Sequence, residues 1–327
     1  MTTQIKNTLT KLTADTQELL HCPICSFNVE VQKDKFKCTN CQAEFPIVDG
    51  IPIFINENNS VFSINDYLDS GGTTLKPKSQ LERLLVNLVP RIICNIKAKE
   101  NFQHFAKLLL QKNKNPKVLI IGASVVGEGI ECLLSDPEIE LIESDVAFGP
   151  RISIIFDAHD IPFEDSSFDG VIIQAVLEHV VDPTRCVQEI YRVLQPNGLV
   201  YSETPFMQQV HLGKYDFTRY THLGHRRLFR NFTEITSGAA CGSGMALAWS
   251  YQYFLLSFVK SRLSRAIVKV FARITAFWLK YFDYYLINQP GSFDAASSYY
   301  FMGEKSEYVL SDRELLTLYK GTQSSSY

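Results

Sequence analysis

The stretch from Val118 to Phe206 constrains this chain most, because strand-like apolar runs alternate there with helical runs, and each strand ends on a glycine, an acid or an amide. It opens with KVLIIGASVVGEGIECLL, in which Val118–Ile121 has the continuous apolar character of a buried parallel strand and Gly122, Gly127 and Gly129 punctuate a turn into a helix. IELIESD then ends in acids, ISIIFDAHDIPF ends its strand at Asp157, FDGVIIQAVLEHVVDP carries the next strand to Gln174, and LVYSETPF closes the series. Such alternation predicts an α/β fold with a doubly wound, Rossmann-like parallel sheet, which binds ligands at the carboxyl ends of its strands. Gly122, Asp145, Asp157 and Gln174 all fall at such ends.

The order of strand, glycine turn, acid, DAHDIPFEDSSFDGVIIQAVLEHVVDP and YRVLQPNGLVYSETPF resembles the class I S-adenosylmethionine-dependent methyltransferases over roughly residues 116 to 238, and YYFMGEK resembles their last strand. The resemblance implies S-adenosyl-L-methionine as cofactor. Gly122, Ala123 and Gly127 would let the backbone approach it, Asp145 would accept from the ribose hydroxyls with Glu143 as the alternative, and Gln174 would line the site. Asp157 would accept from the adenine amino group, helped by the backbone of Ala158 and His159. The first loop departs from the family pattern, with Ile120 and Ser124 where an acid and a glycine usually stand; Glu128 could supply a carboxylate in a shifted register. Only eleven residues separate Asp145 from Asp157, too few for the usual crossover helix, so this edge of the site is expected to be open.

Upstream, Cys22-Pro-Ile-Cys25 and Cys38-Thr-Asn-Cys41 form two Cys-x-x-Cys knuckles twelve residues apart. Four thiolates in that spacing predict a closed tetrahedral zinc site, structural because it leaves no open coordination position. Two disulfides are the alternative, but no secretory signal precedes the cysteines, which predicts a cytoplasmic protein. Similar ribbons occur on some rRNA methyltransferases. Against a nucleic-acid partner stands the formal net charge of −3, since neutralising many phosphates needs a broad basic surface.

The divisions expected are an N-terminal helix and zinc ribbon over 1–56, a linker over 57–80 and the methyltransferase core over 81–247, with helical periodicity across 81–113. A helical insertion over 248–292 precedes the last strand and tail, 293–327. Within it Ile267, Val270, Phe271, Ile274, Phe277, Trp278 and Tyr281 follow the spacing of one helical face, with Arg262, Arg265, Lys269, Arg273 and Lys280 on the other. No acid occurs from Trp249 to Phe282. That pattern suits a helix lying on an anionic membrane surface, with the basic face turned outward, or one packed on its own sheet or on a second subunit.

Between the fifth and sixth strands, ETPFMQQVHLGKYDFTRYTHLGHRRLFRNF would sit beside the transferable methyl group. Its cations Lys214, Arg219, Arg226, Arg227 and Arg230, with His222 and His225, imply an anionic acceptor. For methyl transfer to a hydroxyl, His211 is the first candidate base and His179 the second. The expected function is methyl transfer to a small or lipid-linked anionic acceptor, such as an envelope glycan or lipid precursor. The rivals are a nucleic-acid methyltransferase and, because of Ile120 and Ser124, a non-catalytic binding protein on a degenerate fold.

Overall fold

Runs of apolar residues buried on both faces set the centre of the sheet: β5 (Lys117–Ile121) and β8 (Phe168–Gln174) lie side by side in parallel register, Val118 opposite Gly170 and Ile121 opposite Ile173. The computed structural model describes residues 10–68, 89–125 and 127–322. Outward from that centre come β6 (Glu140–Asp145) and β7 (Ile154–Phe156) on one side, and β9 (Leu194–Pro205), β11 (Ser298–Lys305) and β10 (Phe232–Cys241) on the other. β11 runs antiparallel between β9 and β10, as expected for the last strand of this fold. Helices Ala98–Lys112 and Pro183–Val193 cover the sheet with apolar faces that include Phe102, Phe105, Leu109, Val187 and Ile190. Of the stretch with expected helical periodicity, 81–113, residues 89–97 are irregular and a helix begins at Ala98, where Asn95 Oδ1 accepts from the Ala98 amide; residues 81–88 lie outside the described ones.

The cysteine-bearing segment does not form a separate lobe. β1 (Val29–Gln32), β2 (Lys35–Cys38) and β3 (Glu44–Val48) make an antiparallel ribbon, and β4 (Ile51–Phe54) returns from a tight turn through Asp49 and Gly50, both at positive φ. β4 then pairs in parallel with β7, Ile53 opposite Ile155 and Phe54 opposite Phe156, so one sheet of eleven strands runs through both parts. Phe54 stacks on Phe45 at 4.6 Å and meets Phe36 at 5.4 Å, which joins the ribbon's aromatic core to the main one. Full burial of Ile53 and Phe54 is worth roughly 1.5–3 kcal/mol each. The edge expected to be open is therefore closed. No helix connects β6 to β7, and β4 with the residues after it occupies that flank instead.

After β10 the chain enters the insertion: helices Ser243–Leu256 and Arg262–Ala276, a 3-10 turn Phe277–Phe282, then Asp283–Leu286 and Pro290–Ala295. The buried Asp283 carboxylate accepts from the Gly244 and Met245 amides at 2.7 and 2.9 Å and satisfies the start of the first helix. The expected outward basic face is only half present: Arg262 and Lys269 are exposed, but the other cations turn inward. Arg265 reaches the Leu256 and Val259 carbonyls, Arg273 the Gln252 side chain and Lys280 the Arg91 carbonyl, whereas Leu263, Ile267, Phe271 and Ile274 are 52–72% exposed. The reason is local: Ala272 and Ala276 are the buried positions of the helix, and guanidiniums are drawn to carbonyls at the end of the preceding helix. Among the described residues no helix is long and apolar enough to cross a membrane.

Candidate active site

The first loop turns sharply at Gly122, whose φ is +88° and whose amide, with that of Ala123, donates to the Ser144 carbonyl at 2.9 Å. Asp145, at the end of β6, faces this loop: its carboxylate accepts from the Ser124 amide at 2.9 Å and from Ala147 at 3.0 Å. Glu143, the alternative, is paired with Arg151 at 2.7 Å. Gly127 lies against the Gln174 side chain, and Gln174 in turn donates to Glu203 at 2.8 Å. Asn95 and Tyr201 also donate to Glu203, and the Asn95 amide donates to Glu128. Burial pushes the Glu203 carboxyl up. Thus Ile120, buried in the core, carries no polar role, while Glu203 and Glu128 bring carboxylates to the same loop from β9 and from the glycine turn.

At the end of β7, Asp157 is buried with both oxygens engaged. One takes the His159 amide and ring at 3.1 and 2.5 Å, the other the Ser60 hydroxyl at 2.5 Å. Burial alone would raise the Asp157 carboxyl, but the His159 and Ser60 hydrogen bonds outweigh it and hold the group below its usual range. The Asp182 amide donates to His159 Nε2, so Nδ1 carries the proton given to Asp157. Ala158 is buried between these two. Ser60 belongs to the stretch expected to be a linker. Its residues 57–68 fold over the strand ends instead, with the Tyr67 hydroxyl on the Val146 carbonyl and the Phe62 ring stacked on Tyr215 at 5.7 Å; residues 69–80 lie outside the described ones.

Beyond β8 and β9 the structure brings His179 and His211 together, ring centroids 4.9 Å apart, around Glu178. Glu178 Oε1 is 3.6 Å from His179 Nε2 and 4.0 Å from His211 Nε2, and burial pushes this carboxyl up to about 8. Asp216 stands 3.5 Å from His211 Nδ1; burial would raise it, yet hydrogen bonds from Arg219 and the His211 amide hold it down to about 2. The insertion walls this cluster, with Trp249 6.1 Å from the His211 ring and Tyr253 donating to the Val210 carbonyl.

Four of the five cations expected to bind an anionic acceptor are used within the protein, whereas Lys214 stands exposed over the Tyr215 ring. Arg226 is buried on the Phe229 and Phe232 carbonyls and on Glu234, Arg227 and Arg230 pair with Asp312, and Arg219 pairs with Asp216. His222 and His225 are buried on Ser237 and Ser202. Residue type alone announced charge; the internal partners that absorb it lie up to about 85 residues away in sequence. Glu178 and Glu203 were missed by sequence reasoning: Glu178 lies four residues past the end of β8 and Glu203 inside β9, so neither stands at a strand end as Asp145 does.

Cys22, Cys25, Cys38 and Cys41 are free thiols that converge, with Cys22 and Cys41 sulfurs 3.6 Å apart and those of Cys25 and Cys38 3.4 Å apart. A tetrahedral zinc ion with bonds near 2.3 Å holds its sulfurs about 3.8 Å apart, so the set fits that ion. Asn56 ties this knuckle to the cofactor edge by donating to both the Pro23 carbonyl and Asp160.

Residues 127–202 match the family model described as "Methyltransferase domain". Among curated proteins the chain is similar to a demethylmenaquinone methyltransferase of Clavibacter sepedonicus, 48% identical over 44 residues, covering 14% of this chain and 18% of that one. It is also 34% identical over 105 residues to a ubiquinone/menaquinone biosynthesis C-methyltransferase of Geotalea daltonii, covering 30% and 44%. The chain spans less than half the length of these relatives. A solved structure of phosphoethanolamine N-methyltransferase 2 from Haemonchus contortus with S-adenosyl-L-methionine shares 15% identity over 81% of this chain and 62% of that one, with a TM-score of 0.41. The methyltransferase-domain match thus falls on the parallel half of a sheet ordered β7-β6-β5-β8-β9-β11-β10.

Proposed function

We propose that this chain transfers a methyl group from S-adenosyl-L-methionine to a small or lipid-linked acceptor, with a structural zinc ion in the four-cysteine ribbon. The observation that carries the reading is the gathering of Gly122, Asp145 and the Asp157–His159 pair at the carboxyl ends of neighbouring parallel strands. When bound, the cofactor supplies an electrophilic methyl group on a sulfonium. Asp145 accepts from the ribose; Ala158 and His159, held by Asp157, meet the adenine; Glu203 and Glu128 balance the positive end through Gln174 and Asn95. The acceptor lies at Glu178, His179 and His211, whose nitrogens and oxygens can take or displace its proton, His211 first because it is the more exposed. The arginines of this segment are engaged internally, so a negative charge on the acceptor would meet the exposed Lys214.

Support for a lipid-linked acceptor comes from the names of the quinone methyltransferase relatives and from the exposed stripe of Leu263, Ile267, Phe271 and Ile274, flanked by the exposed Arg262 and Lys269, which suits a peripheral place at an anionic membrane. Titration calorimetry with S-adenosylmethionine and S-adenosylhomocysteine tests the function directly. Micromolar binding of both, weakened in Asp145→Ala, supports it; no binding of either would leave the degenerate, non-catalytic fold.

A further inference from the structure

Three atoms able to ligate a metal ion converge beside the β8 and β9 strand ends. His179 Nδ1 lies 2.7 Å from the Tyr215 carbonyl, which can only accept, so Nδ1 carries the hydrogen and Nε2 presents a lone pair. His211 Nδ1 likewise faces the Gln209 carbonyl at 3.3 Å and Asp216 at 3.5 Å, leaving its Nε2 free. Both Nε2 atoms look at Glu178 Oε1, and one ligating atom from each of the three residues lies within 4.8 Å of the others. Glu178 Oε2 is buried without a hydrogen-bond partner. Lone pairs so arranged repel unless positive charge stands between them. A single proton bridges only one pair, and separations of 3.6 and 4.0 Å are too long for that bridge. They suit an ion: tetrahedral bonds of about 2.1 Å set nitrogen and oxygen ligands about 3.4 Å apart.

We propose that Glu178, His179 and His211 bind a divalent first-row transition-metal ion, distinct from the ion of the cysteine ribbon. Two imidazoles and a carboxylate are a donor set for such ions, and the hydrogen bonds to Tyr215, Gln209 and Asp216 are the outer contacts that orient imidazole ligands. Three protein ligands leave open positions, into which an acceptor hydroxyl can enter. This deepens the methyl-transfer reading and rests on it for its chemical role. With the ion bound, His179 and His211 act as ligands in place of bases: the coordinated hydroxyl loses its proton to solvent, its oxygen lone pair forms the new bond to carbon, and the carbon–sulfur bond breaks with its electrons returning to sulfur, leaving a neutral thioether.

The test uses the full-length chain, stripped of metal under reducing conditions and titrated with cobalt(II), followed by its visible and near-ultraviolet spectrum. Two equivalents are expected: one with the intense thiolate charge-transfer bands of the ribbon, and one without them. His211→Ala, at a side chain 27% exposed, should fold and should weaken the second equivalent at least tenfold while leaving the thiolate bands intact. Glu178→Gln should do the same. A wild-type chain that takes up only the thiolate-bound equivalent, or a second equivalent unchanged in His211→Ala, overturns the proposal. Because calorimetry with S-adenosylmethionine reads the cofactor without the second ion, failure of the ion site and failure of the methyl-transfer reading are separable.

Discussion

Gly122→Ala is the substitution that most directly interrogates the cofactor loop. At φ +88° the residue occupies a region that costs an L-residue roughly 1–2 kcal/mol. A Cβ there would lie 2.3 Å from Val176 Cγ2, an overlap that the half-buried valine relieves only by moving, at about 1–3 kcal/mol. The sum is a loss of about 2–5 kcal/mol in urea unfolding. Because the Gly122 and Ala123 amides share the Ser144 carbonyl, the strained loop should also bind S-adenosylmethionine at least about tenfold more weakly, a cost near 1.4 kcal/mol. Val176→Ala removes the methyl in the way. In a double-mutant cycle Gly122→Ala should cost only the conformational part, about 1–2 kcal/mol, on the Val176→Ala background. A Gly122→Ala chain within about 0.5 kcal/mol of wild type, with no coupling to Val176, would refute this loop geometry.

Asp145→Ala should weaken cofactor binding by about 1.5–3 kcal/mol, or ten- to a hundredfold; calorimetry showing unchanged affinity in both Asp145→Ala and Asp157→Ala would remove both acids from the cofactor site. Metal analysis of reduced protein should find zinc on Cys22, Cys25, Cys38 and Cys41, and its chelation should lower the melting temperature of the whole chain rather than of a small separate transition, because β4 belongs to the main sheet. Burial, with Lys320 near one and His222 near the other, holds His222 down to about 4 and His225 down to about 3, while an unfolded histidine takes its proton near pH 6.5. Stability present above pH 6.5 is therefore lost as pH falls toward those values, by about 1.4 kcal/mol per pH unit for each group, and His225→Gln should flatten that slope in denaturation between pH 6 and 4. Co-sedimentation with anionic vesicles should be lost in Ile267→Asp/Phe271→Asp and only weakened in Arg262→Glu/Lys269→Glu; wild-type protein that stays in the supernatant at low salt contradicts a membrane-facing stripe.

The strands of the core were legible because each is a short apolar run bounded by a glycine, an acid or an amide, and burial on both faces demands little else of them. The place of β4 was not. IPIF reads as the second arm of a local hairpin, and nothing in four apolar residues states that the far side pairs with β7, about a hundred residues on. Residues 57–68 failed for a related reason: Asn and Ser are turn formers, and the second use of Ser60, as a donor to Asp157, depends on a partner that sequence spacing does not reveal. In the helix Arg262–Ala276 the separation of apolar and basic faces was readable from a period of 3.6, but periodicity carries no sign. Arg265 on carbonyls at the end of the preceding helix and Arg273 on Gln252 turned the apolar stripe outward. His179 and His211 were nameable one by one, whereas their meeting over Glu178 requires the path after β9 to return to β8.

The missing crossover between β6 and β7 and the presence of the ribbon are two sides of one arrangement. Without a helix on that flank, β7 would offer an unpaired edge and the ends of β6 and β7 would lie open to water, an aggregation hazard and a poor site for a sulfonium. β4 pairs that edge, and the residues after it bring Ser60 to Asp157 and Asn56 to Asp160. The new edge is β1, four residues long, half-buried or exposed, and bearing Glu30 and Gln32, which is short and polar enough to discourage pairing. β1 to β3 have little core of their own beyond Phe36 and Phe45, so the thiolate set is what fixes their fold. Since Asn56 also holds the Pro23 carbonyl of the first knuckle, removal of a zinc ion bound there should loosen the contact that positions residues 56–60 over Asp157. By linkage, chelation should then weaken S-adenosylmethionine binding in calorimetry, and an affinity unchanged by chelation would refute the coupling.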